Sequence, residues 1–305
     1  MIVVGALHVD EVASLQSKFI AKASNPVIWA RYVGGVASNA ARAASSVYDK
    51  ANAGSVTLHA PLGHDSTAQS LLDAIENGVN EVCPHFIKHA NTGRYSALMS
   101  LSGELTLGLA DVGIAEKLLH EQISDLISST APDAVMLDAN LSQETLIGLV
   151  NAAQKVSAKV AALTVSPAKA IKLLACASGI QTLFCNRREA IALCTTTHRI
   201  QADTPVDKPS VEELADHLSD IGFNDLVISD GADDLLVLSA GKTTKLNVEP
   251  VAITHNVNGA GDTLAGASLA ANTLGISIET AVKDFGLSMS RQVLTGERAP
   301  IALSQ

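Results

Sequence analysis

Short apolar runs rich in valine, isoleucine and leucine alternate along this chain with longer segments whose apolar residues recur every three or four positions. The first kind predicts strands at Ile2–Leu7, Ser55–Ala60, Ala134–Leu137, Lys159–Val165, Thr182–Cys185 and Leu226–Ser229. The second predicts helices at Val36–Tyr48, Thr67–Asn77, Ile114–Ser128, Gln143–Gln154, Pro167–Ala177, Arg187–Cys194 and Val211–Leu218. A further helix opens at Ala260, where Leu264, Ala267, Ala271 and Leu274 keep the helical step and Gly275 supplies a stop. Such alternation implies a mostly parallel sheet covered by helices on both faces. Leu235–Leu238 and Thr243–Val248, joined by a turn at Ser239–Lys242, predict an edge hairpin.

Two segments break the rhythm. Residues 9–33 mix short polar and apolar stretches around Pro26, and residues 92–110 alternate through Tyr95, Ala97, Met99 and Leu101, turn at Ser102-Gly103, and return through Leu105, Leu107 and Leu109. The second reads as a hairpin; together they form either a surface ornament or a small sheet standing off the main domain as a lid. Residues 198–210 read as a polar connection within one domain spanning 1–305, not as a boundary.

Composition narrows the classes. Apolar residues make up 47 % of the chain but aromatic residues only 3 %, which suits alanine-rich helices packed closely on a sheet. The net charge of -10 argues against nucleic acid or an anionic membrane as partner. The opening Met1–Leu7 lacks a basic leader and no apolar run reaches spanning length, so a soluble, cytoplasmic protein is expected. Cys83, Cys176, Cys185 and Cys194 show no metal-ligand spacing and read as buried thiols.

The chemistry concentrates at Asn256–Thr263. Gly259, Ala260 and Gly261 open a helix whose free N–H groups and dipole attract anions, and Asp262 stands in its first turn. Asp262 is either a dipole-stabilising acid or a base beside a phosphate cradle. Gly34, Gly35 and Asn39 open another helix, as a tight turn or as a ligand contact in which paired glycines permit close approach. Asp10, just past the first strand, is a loop acid or a partner for two sugar hydroxyls. Asn186 and Glu189 have capping-box spacing and also suit ordering of the water shell of Mg²⁺. Among the histidines only His8, by position, and His255, beside the cradle, stand near these groups.

Taken in order, these features resemble the ribokinase-like, or PfkB, family of carbohydrate and nucleoside kinases across essentially the whole chain. The signature D-T-x-G-A-G-D is similar to Asn256–Asp262, G-G-x-x-x-N matches Gly34, Gly35 and Asn39, the acid closing the first strand matches Asp10, and N-x-x-E matches Asn186 and Glu189. The resemblance implies a three-layer α/β/α domain with a β-sheet lid made of 9–33 and 92–110, which in relatives often doubles as a dimer contact. It implies ATP and Mg²⁺ as cofactors, with Asn186, Glu189, Ser229, Gly231 and Asn258 at the ATP and metal site. It further implies Asp262 as general base, the Gly259-Ala260-Gly261 backbone as anion hole, and Asp10, Gly34, Gly35, Asn39, Tyr95 and His8 about the acceptor.

Within the family, Thr92–Leu105 resembles the lid hairpin of pseudouridine kinases, with looser matches at Asp138–Ser142 and Val165–Lys169. The expected reaction is therefore transfer of the γ-phosphate of ATP to the 5′-hydroxyl of pseudouridine. A free sugar such as ribose or fructose, or another nucleoside, is the alternative acceptor. A catalytically silent sugar- or nucleotide-binding protein is the alternative of another class. Asn256 stands where the signature has its first Asp, beside a monovalent-cation loop in relatives, which puts K⁺ activation in question.

Overall fold

A computed structural model describes residues 1–201, 209–231, 234–251 and 259–303. In chain order its strands are β1 (Ile2–Val4), β2 (His8–Leu15), β3 (Val27–Gly34), β4 (Thr57–Leu62), β5 (Glu81–Phe86), β6 (Arg94–Met99), β7 (Leu105–Asp111), β8 (Ala134–Asp138), β9 (Lys159–Leu163), β10 (Thr182–Asn186), β11 (Asp225–Ser229), β12 (Leu235–Ser239) and β13 (Lys242–Leu246). The α-helices are α1 (Val36–Ala51), α2 (Ser66–Ile75), α3 (Glu121–Thr130), α4 (Gln143–Lys155), α5 (Pro167–Ala170), α6 (Arg187–Thr196), α7 (Val211–Ile221), α8 (Ala260–Thr273), α9 (Ile278–Ala281) and α10 (Leu287–Thr295).

The larger sheet runs β13-β12-β11-β10-β9-β8-β1-β4-β5, parallel except for the hairpin β12–β13 at one edge. Successive residues of its central strands enter opposite cores, as a parallel sheet covered on both faces requires. Val3, Met136, Ala161 and Val227 pack with α1, α2 and α8, whereas Val4, Leu137, Ala162 and Leu226 pack with α3, α4, α6 and α7. The alanine content has its use where α1 crosses α8. A Cβ on Gly266 would collide with the Ala40 carbonyl, so the two helices approach to backbone contact.

The expected α/β layers are present, with differences that have local causes. The strand predicted over Ile2–Leu7 stops at Val4, because the Ala6 N–H donates to Asp138 Oδ2 (2.8 Å) in place of a ladder partner. The chain then crosses into a second sheet as β2. β5 escaped the hydrophobic pattern: it is an edge strand carrying Glu81, Pro84 and His85, and an edge tolerates proline. The helix predicted over Ile114–Ser128 divides into a 3-10 turn at Gly113–Lys117 and α3, and that over Pro167–Ala177 into α5 and a 3-10 stretch bent at Cys176. The helices beyond Gly275 were not predicted.

Both irregular segments resolve into the smaller sheet, order β3-β2-β6-β7, in which β2 and β6 run parallel and the outer pairs antiparallel. The chain's end joins it: Val33 N donates to Ile301 O and Leu303 N to Arg31 O, both at 2.9 Å. Among the described residues no helix is long and apolar enough to cross a membrane, and Cys176, Cys185 and Cys194 are buried free thiols, with Cys83 half-buried.

Candidate active site

Two helix N-termini 223 residues apart in sequence meet at one hydrogen bond, in which Asn39 Nδ2 donates to Asp262 Oδ2 at 3.0 Å. Asn39 lies in the first turn of α1 and Asp262 in the first turn of α8, so the backbone contact between these helices at Gly266 and Ala40 fixes the pair. Gly259 caps α8 with φ +83°, and a Cβ there would sit 2.9 Å from Asn39 Nδ2. Gly261 differs from it. It is exposed, and a Cβ on it would meet no protein atom, so packing does not explain its being glycine. First-turn N–H groups have no acceptor within their own helix, and Gly261 leaves the approach to those of α8 open.

Burial raises the Asp262 carboxyl from its ordinary value to about 7; the negative charges of Asp138, Asp10 and Glu189 add to the rise and the Asn39 amide opposes it. A carboxylate titrating near neutrality is suited to take a proton at the operating pH. Asn39 donates to the ionised form and so orients it.

Asp138, at the end of β8, holds the scaffold under this pair. Its buried carboxylate accepts from Ala6 N (2.8 Å), Ala37 N (3.1 Å) and Asn140 N (2.9 Å). Ala37 is in the first turn of α1, so Asp138 serves as a cap reaching in from the sheet. A Cβ on Gly5 would strike this carboxylate.

Gly34 and Gly35 each stand against the protein's own groups. A Cβ on Gly34 would overlap the Asp10 carboxylate, and one on Gly35, at φ +108°, would overlap the Ala6 carbonyl. Both glycines make room for the protein's own groups, and Gly34 lets Asp10 stand against the start of α1.

Asp10 pairs with Tyr32 on one side and Tyr95 on the other, so the three side chains share one face of the smaller sheet. That face and the α1–α8 junction enclose a cavity of about 870 Å³ lined by residues including Asp10, Tyr32, Asn39, Tyr95, Gly259 and Thr263. Burial, with the Asp10 charge, raises the Tyr95 hydroxyl. His8 is not among the lining residues. Its Nδ1 lies 3.0 Å from Asp10 Oδ1 in an angle too poor for a hydrogen bond, which makes it a neighbour of Asp10 and not a group facing the cavity.

Asn186 and Glu189 form the capping box that their spacing predicts: Glu189 N donates to Asn186 Oδ1 (3.0 Å) and Asn186 N to Glu189 Oε2 (2.8 Å). Thr164 Oγ1 also donates to Glu189 Oε2, at 2.5 Å. The next residue, Val165, is held at φ +67°, a backbone state that costs a β-branched residue about 1–3 kcal/mol. Ser229 closes β11 beside Asn186, and Gly231 lies just beyond it. Between them Asp230 pairs with Arg187 (2.7 Å). Asn256, Asn258 and His255 lie outside the described residues. The looser matches also meet, Lys169 Nζ donating to Asn140 Oδ1 at 2.5 Å.

Sequence reasoning missed Tyr32, Arg42, Asp138 as a cap, and Arg298. Arg42 had a signal, since it stands three residues after Asn39 on the same helix and so on the same face. Tyr32 and Arg298 reach the cavity only through strand pairing and the returning chain end.

Residues 3–299 match the pfkB family of carbohydrate kinases. Among solved structures, a carbohydrate kinase from Agrobacterium tumefaciens is 27 % identical, with a TM-score of 0.79, covering 98 % of this chain and 93 % of that one. Arabidopsis thaliana ribokinase complexed with ribose and ATP is 16 % identical (TM-score 0.76; 96 % and 91 % covered). Anopheles gambiae adenosine kinase in complex with a diadenosine tetraphosphate is 18 % identical (TM-score 0.76; 96 % and 94 % covered). No curated protein matches the sequence.

Proposed function

The chain belongs to the pfkB family of carbohydrate kinases, and from that premise we propose that it transfers the γ-phosphoryl group of ATP to the 5′-hydroxyl of pseudouridine. The observation that carries the kinase reading is the Asn39–Asp262 hydrogen bond at the open N-terminus of α8, whose Asn39, Gly259 and Thr263 line the cavity. A hydroxyl placed at Asp262 gives up its proton to the carboxylate as its oxygen bonds to the γ-phosphorus and the bond to the β-phosphate oxygen breaks. The N–H groups of Gly259, Ala260 and Gly261 face the charge on the moving phosphoryl group. Asp10 accepts from ribose hydroxyls. The smaller sheet acts as a lid that excludes water from the transfer.

The residues at the end of β10 fit a divalent ion held through water. Glu189 Oε2 is fixed by two donors, whereas Oε1 has no hydrogen bond among the described residues and can order a hydration shell. Mg²⁺ bound there with ATP supplies charge neutralisation on the phosphates.

Three features support a nucleoside over a free sugar. They are the lid hairpin Thr92–Leu105, the two tyrosines flanking Asp10, and a cavity volume of about 870 Å³, which leaves space beyond a single sugar ring. An acceptor panel with ATP and Mg²⁺, run with and without K⁺, tests the reading by the ester formed. Pseudouridine is expected as the best substrate. Turnover of ribose or fructose alone would move the protein to the sugar kinases, and absence of turnover with any acceptor would make it a binding protein.

The lid's outer face supports a homodimer. Trp29, Ala13, Leu98 and Leu107 stand in register on it, and Trp29, Leu107 and Leu109 are at least half exposed. Glu11 lies 3.6 Å from Arg31 and 3.5 Å from Arg94, so the charges beside this apolar surface are engaged with one another within the sheet. A second copy of this chain fits such a face. Sedimentation equilibrium is expected to give a dimer that Leu107→Glu converts to a monomer; a monomeric wild type would remove the contact.

A further inference from the structure

Arg42 and Arg298 line the same cavity as Asp10 and Asn39. Arg42 stands one helical turn beyond Asn39, roughly 5 Å further along α1 from the catalytic end. Its guanidinium has no hydrogen bond or ion pair among the described residues, and the one bond of the Arg298 guanidinium goes to the main-chain carbonyl of Arg42, at 3.0 Å. Burial and the charge of Arg298 together bring the Arg42 guanidinium down to about 10. Two half-buried cations side by side without a carboxylate between them repel each other. A ligand group that accepts from both offsets that repulsion.

We propose that Arg42 and Arg298 form the subsite that reads the acceptor at its end remote from the phosphorylated hydroxyl, and that the group they take is a neutral, planar ring edge bearing carbonyl oxygens, as in a pyrimidine-2,4-dione. This rests on the kinase reading for its orientation of the acceptor. The chemistry follows from the donor set. A guanidinium offers N–H donors in a fixed fork and accepts nothing. An exocyclic amino group, as in cytosine or adenine, cannot accept from a guanidinium, whereas both carbonyl oxygens of a pyrimidine-2,4-dione can. Asp10 and Glu104 line the cavity too, and their charges oppose an acceptor that bears a phosphate or carboxylate, which favours a neutral ring edge.

Calorimetry on the full-length protein without ATP tests the subsite separately from catalysis. The wild type is expected to bind pseudouridine at least about tenfold more tightly than cytidine. Arg42→Met and Arg298→Met should each weaken pseudouridine at least about tenfold while leaving ribose, which has no base, within about twofold. In steady state the same variants should raise KM for pseudouridine and leave kcat within about threefold. Equal wild-type affinity for cytidine and pseudouridine, parallel weakening of ribose and pseudouridine, or stronger binding of phosphate- or carboxylate-bearing acceptors would each overturn the assignment. Tight pseudouridine binding lost in the variants, with no phosphoryl transfer by the wild type, would leave the subsite standing and remove the kinase reading.

Discussion

Asp262→Asn should lower kcat by about two to four orders of magnitude and leave the affinity for ATP close to that of the wild type. The substitution keeps the shape of the side chain and its contact with Asn39 but removes the only function the geometry gives it, accepting a proton from the hydroxyl. The same variant should be more stable than the wild type at pH 8. Burial raises the Asp262 carboxyl to about 7, against an ordinary value near 3.9. A raised acid contributes its stability below the unfolded value and loses it as pH rises through the folded one, so at pH 8 the ionised wild type bears a penalty that a neutral amide does not. Thermal denaturation at pH 8 should therefore show a Tm a few degrees higher for Asp262→Asn, and at pH 4 little difference. An inactive variant with a lower Tm at pH 8 would point to damaged folding and not to a lost base.

Asp138→Ala should act in the opposite way, destabilising the protein and disabling it together. Its carboxylate satisfies the N–H groups of Ala6, Ala37 and Asn140, all buried. Leaving buried donors unpaired costs about 1–3 kcal/mol each, softened here because a buried charge leaves with them; a net loss of about 3 kcal/mol is expected. For a chain of this size that is a fall in Tm of roughly 5 °C. Activity falls as well, because Ala37 is one turn's reach from Asn39 and the cap fixes where α1 presents that amide. A folded Asp138→Ala protein with wild-type Tm and kcat would show that the sheet does not position α1 through this residue.

What could be read from the sequence was whatever local pattern determines. The central strands are apolar on both faces and announced themselves, and Asn186 with Glu189 formed the capping box that their spacing encodes. Gly259–Asp262 opened a helix as its glycines and periodicity indicated. β5 was hidden because an edge strand bearing Glu81, Pro84 and His85 need not be apolar. The room that Gly34 and Gly35 make for Asp10 and for the Ala6 carbonyl was not legible, because a glycine that admits a ligand and one that admits the protein's own groups leave the same mark in a sequence. His8 was singled out by its position near Asp10 and set about the acceptor by the resemblance; it stands 3.0 Å from Asp10 and is not among the residues that line the cavity. Arg298 enters the cavity only because the chain end returns to pair with β3, a contact between residues far apart that no local pattern carries.

The pH dependence of kcat/KM for the acceptor tests most directly that Asp262, held by Asn39, is the base of a kinase. In the free enzyme the carboxyl titrates at about 7, so log kcat/KM should fall with unit slope below about pH 7 and level off above it. The residual activity of Asp262→Asn should lack that limb. A wild-type profile flat from pH 5 to 8, or the same limb retained in Asp262→Asn, would contradict the assignment.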